Sequence, residues 1–436
     1  MRPGGFRVIL ARVMELNALG VLILCGLLLV WTLDLVATLL NLGAFDRGVP
    51  AAIADVLDEA GHARARDYAT ASSRASLVES SALLAGLFGA WLSGGIGWLD
   101  AATRSLPGGP IVDGLAFLAA VVLAVNLLSL PFRIHDTFRI EARFGFNRTT
   151  PATFAADELK GLLVSAALGL PLGAAVLWLF HHVDRAPLWA WLVFIVYQLA
   201  VTWLAPTLIL PLFNRFVPMP DGPTRRAIDE LAARCRFPLA GIFVIDGSRR
   251  STKANAYFTG LGRHKRIALF DTLLERHPDP ELVAILAHEI GHFKCRHIPQ
   301  RLAASIVQSG ILFALLGLAT DPAGRFAREL AAAFGLDRVS PHAALLCFAI
   351  LAAPVARLLG VATHAWSRHH EFQADAYARR VTGTPAPLAA ALKKLSADNL
   401  AHPTPHRLRV ILDYSHPPLA ERLAALAGGE APGTEA

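Results

Sequence analysis

The chain of 436 residues is 54% hydrophobic and only 17% charged, and its mean hydropathy is +0.46. Soluble domains carry roughly a quarter charged residues, so this composition excludes an ordinary soluble domain and predicts a membrane protein. The formal net charge of +7 does not indicate nucleic-acid binding, because no basic run alternates with aromatic residues and membrane proteins concentrate arginine and lysine in cytoplasmic loops.

Seven apolar stretches are each long enough to cross a bilayer, which takes about 20 mostly apolar residues. They are Asn17–Leu42, Leu77–Ala101, Ile111–Phe132, Leu159–His181, Pro187–Leu212, Leu302–Ala319 and Ala343–Trp366. The second stretch, which contains LSGGIGW, and the sixth are the least apolar. These stretches predict an all-α integral membrane protein with seven transmembrane helices.

The distribution of arginine predicts the orientation of these spans. Four arginines follow the first span and four follow the third, whereas the loops after the second and fourth contain little more than Arg104 and Arg185. By the positive-inside rule, odd-numbered spans exit into the cytoplasm and the N-terminus lies outside. The two large polar blocks, Asn214–Arg301 and Ser367–Ala436, both follow odd-numbered spans, so they lie on one face and can build one site.

The spans and polar blocks together divide the chain into five regions. Residues 1–213 hold spans one to five, 214–301 form a first polar region, 302–366 hold spans six and seven, 367–427 form a second polar region, and 428–436 form a tail. The tail sequence, GGEAPGTEA, is typical of a disordered terminus.

The motif His288-Glu289-Ile290-Gly291-His292 lies after the apolar run LVAIL. Two histidines four residues apart share one helical face, so both imidazoles can reach one Zn²⁺. Glu289 lies about 100° around the helix and is placed to touch a metal-bound water, which is the general-base position of HExxH peptidases. An ordinary buried helix is the alternative, but two histidines and a glutamate are costly there unless they are paired or bound to a metal.

A catalytic zinc site normally has three protein ligands, so a third ligand is needed. The extended pattern HExxHxxGxxH does not apply, because Cys295 and Ile298 occupy the positions of its glycine and third histidine. His297, five residues after His292, points off the shared helical face. We therefore expect the third ligand to lie outside this segment.

The segment Ser367–Arg380 follows the seventh span and offers Glu371 and Asp375 four residues apart on one helical face. We expect Glu371 to be the third ligand of a site with two histidines and one glutamate. Asp375 can accept a hydrogen bond from a ligand imidazole and fix its tautomer. His369 and His370 are alternative ligands that lie off this face, and a solvated, charged helix face is the alternative interpretation of the segment.

Five segments, in order along the chain, resemble the CAAX prenyl proteases of the integral-membrane zinc metallopeptidase type. They are IEARFGFNRTT (140–150), STKANAYFTGLGRHKRIALFDTLLE (251–275), LAHEIGHFKCRH (286–297), SRHHEFQADAYA (367–378) and YSHPPLAERLAAL (414–426). The resemblance implies seven transmembrane helices forming a barrel around a large chamber. It also implies a mostly helical zinc-metalloprotease region and a small β element at the cytoplasmic end.

The resemblance also implies roles for individual residues. His288, His292 and Glu371 match the ligands of one Zn²⁺ per chain, and Glu289 matches the catalytic base. Three further positions match residues that act on the substrate or the oxyanion. Asn255 would hold the substrate backbone, for which the sequence NAYFTG could supply an edge strand; His416 would stabilise the oxyanion; Arg422 would orient the substrate or support the site.

The implied activity is that of a membrane-embedded zinc metalloendopeptidase that cleaves CAAX-type, prenylated or related peptides near their C-termini. A broad-specificity quality-control protease for membrane proteins would use the same residues. A third alternative is a seven-span transporter or receptor with a structural zinc. The residues disfavour it, because a structural site normally fills all four positions with protein ligands, whereas three ligands are found here beside a glutamate in the base position.

The composition also predicts where the protein works and with what it interacts. A chain rich in alanine and arginine and poor in lysine indicates a GC-rich bacterial genome, so we expect an inner-membrane protein whose site faces the cytoplasm. The expected partners are a peptide or protein substrate, prenylated or membrane-associated, and the lipid bilayer. We expect a monomer and no nucleic acid.

Overall fold

The computed structural model describes residues 16–259 and 265–428. Within these residues, seven helices are long and apolar enough to cross a membrane, which confirms the predicted number. The first half of the chain forms α1 (Ala18–Gly43), α2 (Glu59–Leu92), α3 (Gly95–Thr103), α4 (Pro110–His135), α5 (Pro151–His182), α6 (Ala186–Leu204) and α7 (Leu210–Phe213). One π-helical turn, Asp136–Glu141, continues α4, and another, Ala205–Ile209, joins α6 to α7.

The second half of the chain alternates between polar and membrane elements. Its first part forms β1 (Phe216–Pro218), α8 (Pro223–Arg234), β2 (Leu239–Ile245), β3 (Ala256–Thr259), β4 (Lys265–Phe270), α9 (Asp271–Arg276) and α10 (Asp279–Lys294). Its second part forms α11 (His297–Thr320), α12 (Arg325–Ala333), α13 (Pro341–Thr382), α14 (Ala386–Asp398), α15 (Arg407–Asp413) and α16 (Leu419–Leu426).

The seven membrane helices form a closed ring. Each helix contacts the next in the order α1, α2, α4, α5, α6, α11 and α13, and α13 returns to contact α1. At most 17% of the most apolar 18-residue window of each span is buried. Each helix therefore packs only along its edges, with one face toward lipid and the other toward the chamber that the barrel encloses.

Apolar side chains fill the barrel at the end where α13 begins. Phe117 of α4, Trp91 of α2 and Phe334 after α12 are each at most 2% exposed, and the ring centroids of Trp91 and Phe334 are 4.6 Å apart. Gly114 lets α4 approach α13, because a Cβ there would lie 3.1 Å from Cβ of His342. This cluster closes one end of the barrel, while the polar regions gather at the other.

The structure corrects the bounds of the second span. The predicted stretch Leu77–Ala101 is interrupted, because α2 ends at Leu92 and α3 begins at Gly95. Gly94 between them has φ +80°, a left-handed conformation that favours glycine and ends a helix. The helix instead extends toward the N-terminus as far as Glu59, so three of the four arginines expected in a loop there, Arg64, Arg66 and Arg74, lie on α2.

The polar region after α7 contains a four-stranded sheet with the order β1-β2-β4-β3. Strands β2 and β4 pair in parallel, whereas β1 and β3 are antiparallel edge strands. The inner strands pack on α8, α10 and α14 through a core that includes Ile228, Leu231, Ile267, Leu269 and Leu282. This core fixes α10, the helix that carries the HExxH motif.

Two boundaries between the predicted regions do not coincide with breaks in the structure. Helix α13 runs without interruption for 42 residues, across the expected division between 366 and 367. Helix α11 begins at His297, before the expected start of the sixth span. The predicted disordered tail, 428–436, lies outside the described residues except for Gly428. The first 15 residues, to which the predicted outside location of the N-terminus refers, also lie outside them.

Candidate metal centre

Helix α10 presents its histidines because its sequence is apolar on almost every other side. Asp279 and Glu281 in its first turn interact favourably with the positive end of the helix dipole. Residues 284–288 are all buried, and His288 is 8% exposed. At Gly291 a Cβ would lie 3.0 Å from Cα of Ala374 on α13, so the absence of a side chain lets the two helices approach closely.

This approach brings His288, His292 and Glu371 together; we refer to them as the His–His–Glu cluster. The two Nε2 atoms are 3.2 Å apart, Nε2 of His292 lies 3.3 Å from Oε1 of Glu371, and Nε2 of His288 lies 3.5 Å from Oε2. Ligands at 2.0–2.1 Å in a tetrahedral site are about 3.3 Å from one another. The spacing of the ligand atoms of these three residues therefore fits a Zn²⁺ ion.

Asp375 lies behind this cluster, one turn after Glu371. Its Oδ1 is 2.8 Å from Nδ1 of His288, which donates, so Nε2 is the atom of that ring that faces the cluster and would bind the metal. Burial lowers the pKa of His288, but the hydrogen bonds to Asp375 and Glu371 outweigh it and raise the pKa to about 9. A metal must therefore displace a proton from this ring when it binds.

Arg422 holds Asp375 from the far side. Its Nη2 donates to Oδ1 at 2.7 Å and its Nε donates to Oδ2 at 2.8 Å, a bidentate arrangement. Nη1 is also 3.7 Å from Oε2 of Glu371, and the residue is only 8% exposed. These contacts favour the supporting role over direct contact with a substrate, because Nε, Nη1 and Nη2 all lie close to the site's own carboxylates.

Glu289 and His416 are the two predicted catalytic residues beside the cluster. Burial raises the pKa of the Glu289 carboxyl, although the two histidines beside it act in the opposite direction. Nε2 of His416 is 3.5 Å from Oε1 of Glu371, and its side chain is 64% accessible. Burial nevertheless lowers the pKa of His416. The ring of His416 is therefore accessible beside the cluster, although the protein around it disfavours its charged form.

Asn255 lies at the start of the edge strand β3 and makes no described hydrogen bond to the cluster. Its carbonyl accepts from the backbone N–H of Phe270 at 3.1 Å, and its Oδ1 accepts from the N–H of Ala256 at 2.8 Å. The predicted edge strand is confirmed by the order of the sheet. Strand β3 also contacts α10, so the strand lies beside the helix that carries the histidines.

The sequence did not predict the role of His297, which had been set aside because a continuous helix would point it elsewhere. Helix α10 ends at Lys294, and Arg296 adopts a left-handed conformation with φ 58° before α11 begins. This turn brings Nδ1 of His297 to 2.8 Å from Nδ1 of His292. A break in the helix is the signal that could have shown this, and Pro299 in the first turn of α11 marks it, because proline has no backbone N–H with which to continue α10.

His369 and His370, the alternative ligands, do not reach the cluster. The ring of His370 stacks on His297 with centroids 3.9 Å apart. Nε2 of His369 lies 3.0 Å from the amide nitrogen of Gln373, whose Oε1 is 2.8 Å from Nε2 of His297. Both residues therefore belong to an outer layer around His292.

Comparison with known proteins agrees with this geometry. A model described as CAAX prenyl protease N-terminal, five membrane helices, matches residues 38–215, and Peptidase family M48 matches residues 218–430. The CAAX prenyl protease 1 homolog of Arabidopsis thaliana is 37% identical over 324 residues, 74% of this chain and 75% of that protein. CAAX prenyl protease 1 of Saccharomyces cerevisiae is 35% identical over 328 residues, 72% of each chain.

A solved structure extends the similarity to the whole fold. The crystal structure of Ste24p from S. mikatae superposes with a TM-score of 0.86 at 29% identity, covering 94% of this chain and 99% of the other. The match includes both the barrel and the polar region at its end. The chain therefore belongs to the CAAX prenyl protease family of zinc-dependent M48 metallopeptidases, and its His–His–Glu cluster is positioned to bind the metal.

Proposed function

We propose that this metalloendopeptidase cleaves CAAX-type, prenylated peptides near their C-termini at the His–His–Glu cluster. The observation that carries the proposal is a His–His–Glu cluster whose imidazole nitrogens and carboxylate oxygens lie 3.2–3.5 Å apart at the end of a membrane barrel. Relatives named as CAAX prenyl proteases over about three quarters of their length support the substrate class. A lipid-modified peptide is also a substrate that the bilayer delivers to such a site.

His288, His292 and Glu371 would hold the zinc ion, which when bound polarises the scissile carbonyl and lowers the pKa of a water molecule. Glu289 accepts a proton from the attacking water and returns it to the leaving amine. Its raised pKa suits this exchange, because a base with a pKa nearer neutrality both takes and gives a proton readily.

The remaining predicted residues orient the substrate and the ligands. Asn255 and the open edge of β3 would receive an extended peptide as an added strand. His416 would donate a hydrogen bond to the oxyanion that develops at the carbonyl. Asp375 and Arg422 position His288 through the hydrogen bonds described above.

The proposal includes the location of the site. The arginine-rich ends of the odd-numbered spans support a cluster that faces the cytoplasm. Since the composition indicates a bacterial source, the membrane would be the inner membrane. The two catalytic regions, one within residues 214–301 and one within 367–427, would act together in a single monomeric chain.

The test is cleavage of farnesylated and unmodified peptides ending in a CAAX sequence by the purified protein, with products identified by mass spectrometry. We expect the farnesylated peptide to be cleaved faster, o-phenanthroline to abolish cleavage and Zn²⁺ to restore it. Glu289→Gln should retain zinc and lose about 10²- to 10⁴-fold in kcat.

Two results would contradict this assignment. Equal cleavage of unmodified, unrelated peptides would favour the broad-specificity quality-control protease. Full zinc occupancy without hydrolysis of any peptide would favour a structural metal instead.

A further inference from the structure

We propose that His297 and Gln373 are positioning residues that fix the tautomer of His292, so that its Nε2 faces the metal without a proton. The proposal rests on the metal-binding role of His292 given above. Neither the HExxH motif nor the third ligand determines how the ring of His292 is oriented. His297 and Gln373 would determine it.

A chain of three hydrogen bonds leads from His292 toward the surface. Nδ1 of His292 is 2.8 Å from Nδ1 of His297, and Nε2 of His297 is 2.8 Å from Oε1 of Gln373. The amide nitrogen of Gln373 is 3.0 Å from Nε2 of His369, which is exposed. The bonds share their members, so the direction of one determines the direction of the next.

The orientation of the Gln373 amide sets the direction of the whole chain. Its oxygen can only accept, so His297 donates from Nε2 and a neutral His297 has an unprotonated Nδ1. That Nδ1 accepts from Nδ1–H of His292, which leaves Nε2 of His292 as a free electron pair toward the cluster. The amide nitrogen in turn donates to His369, so each bond of the chain has one donor and one acceptor.

The reversed arrangement is incompatible with metal binding. If the amide donated to His297, the proton of that ring would lie on Nδ1 and would be donated to His292. The proton of His292 would then lie on Nε2, the atom that faces Glu371 at 3.3 Å. The chain therefore has one productive direction, and Gln373 selects it.

The surroundings of His297 hold it in this role. The residue is 1% exposed and stacks on His370 with ring planes 9° apart. His370 is also 1% exposed. A buried, stacked ring has little freedom to turn, so the hydrogen-bond direction is the remaining variable.

The two histidines of the cluster are thus supported differently. His288 donates to a carboxylate that is paired with Arg422, whereas His292 donates to a neutral imidazole. A carboxylate partner makes an imidazole ligand more basic and donates more charge to a metal. A neutral partner on His292 limits that effect, which preserves the ability of the bound ion to polarise a carbonyl.

The test adds Zn²⁺ to the metal-free full-length protein at one fixed pH. The dissociation constant is measured by competition with a chromophoric chelator. In Gln373→Lys the side chain can only donate, so we expect zinc binding to weaken about 10- to 100-fold, the range for lost support of a ligand. Ala376→Lys places the same charge on an exposed position of α13, three residues away, and should change the constant less than threefold.

A second variant keeps the inference testable if Gln373→Lys folds poorly. His297→Phe retains the stacked ring but removes both nitrogens, so we expect a similar weakening of zinc binding with an unchanged melting temperature of the metal-free protein. The inference is overturned if Gln373→Lys and Ala376→Lys behave alike, or if His297→Phe binds zinc as the wild type does. If the wild type binds no zinc, or His292→Ala binds it equally well, the proposed function itself fails.

Discussion

Arg422 shows at the scale of one residue how the site is held together. The residue is 8% exposed, and its guanidinium forms two hydrogen bonds of 2.7 and 2.8 Å with Asp375. Removal of one partner of a buried ion pair leaves an uncompensated charge, which typically destabilises a protein by about 3–5 kcal/mol. We expect Arg422→Met to lower the free energy of unfolding by this amount, measured by SDS-driven unfolding in mixed micelles.

Arg234→Met is the matched control for this substitution. Arg234 is the exposed last residue of α8, and surface substitutions usually change stability by less than about 0.5 kcal/mol. Equal stability of the two variants would show that the Arg422–Asp375 pair does not support the fold.

Residues on one continuous helix were predictable from sequence, and residues brought together by a turn were not. The spacing of His288 and His292, and of Glu371 and Asp375, follows from the period of the helix. Pro299 signals a helix boundary near His297, but His297 escaped prediction because the sequence does not show that the left-handed turn at Arg296 directs its side chain back to His292. The contacts between α10 and α13 depend on tertiary packing, so the sequence suggested the third ligand only through chemistry and topology.

Gly291 acts at the scale of elements, because it sets the distance between the two helices that carry the ligands. An added Cβ would lie 3.0 Å from Cα and 3.1 Å from the carbonyl oxygen of Ala374. These are backbone atoms, so the helices must separate. A misplacement of about 1 Å can lower a rate about 100-fold. We therefore expect Gly291→Ala to lower kcat/KM by about 10- to 100-fold and to weaken zinc binding.

Gly169→Ala tests whether the effect belongs to the position or to the loss of a helical glycine. Gly169 lies inside α5 with no atom within 4 Å of an added Cβ. Alanine stabilises a helix interior by about 1 kcal/mol relative to glycine, so this variant should be at least as stable and as active as the wild type. Normal kinetics of Gly291→Ala would show that the two helices accommodate a Cβ at this position without displacing the ligands.

Hydropathy located the membrane-crossing part of each element but not its full length. Helix α2 begins 18 residues before the predicted second span, in a segment that contains Arg64 and Arg66. Polar residues reduce the hydropathy without ending a helix, since propensity for helix does not require apolar side chains. The same reason explains α13, in which one helix includes both the last span and Glu371.

Asp34, Arg357 and Asp413 act at the scale of the whole molecule, because they join the first and last helices of the ring to the C-terminal region. Nη2 of Arg357 is 2.5 Å from Oδ1 of Asp34 and 2.7 Å from Oδ1 of Asp413. Asp34 is a charged residue within the first span. Its partner lies 323 residues away, and no pattern in the sequence connects the two.

A double-mutant cycle of Asp34→Asn and Arg357→Met should show this connection. Residues in one ion-pair network couple by about 0.5–3 kcal/mol, so we expect the double variant to be more stable than the sum of the single effects predicts. Asp34→Asn combined with Arg234→Met should be additive within about 0.5 kcal/mol. Additive behaviour of the first pair would exclude a role for it in closing the ring.

Metal removal tests the coupling between the barrel and the polar region at its end. The His–His–Glu cluster takes two ligands from α10 and one from α13, so a bound ion links a soluble helix to a membrane helix. A ligand that binds only the folded state at 100 times its dissociation constant stabilises it by about 2.7 kcal/mol. We therefore expect chelation to lower the melting temperature by several degrees and Zn²⁺, but not Mg²⁺, to restore it.

The decrease in melting temperature should be limited, because the charges of the site without zinc still balance. The pKa of His288 is about 9 without a metal, so at neutral pH this ring is positively charged beside Glu371 and Asp375. Arg422 supplies a second positive charge. The polar region should therefore stay folded after chelation, with an unchanged far-ultraviolet circular dichroism spectrum. Glu371→Gln should show a much smaller response to zinc, and an equal response in that variant would mean that the stabilising ion binds elsewhere.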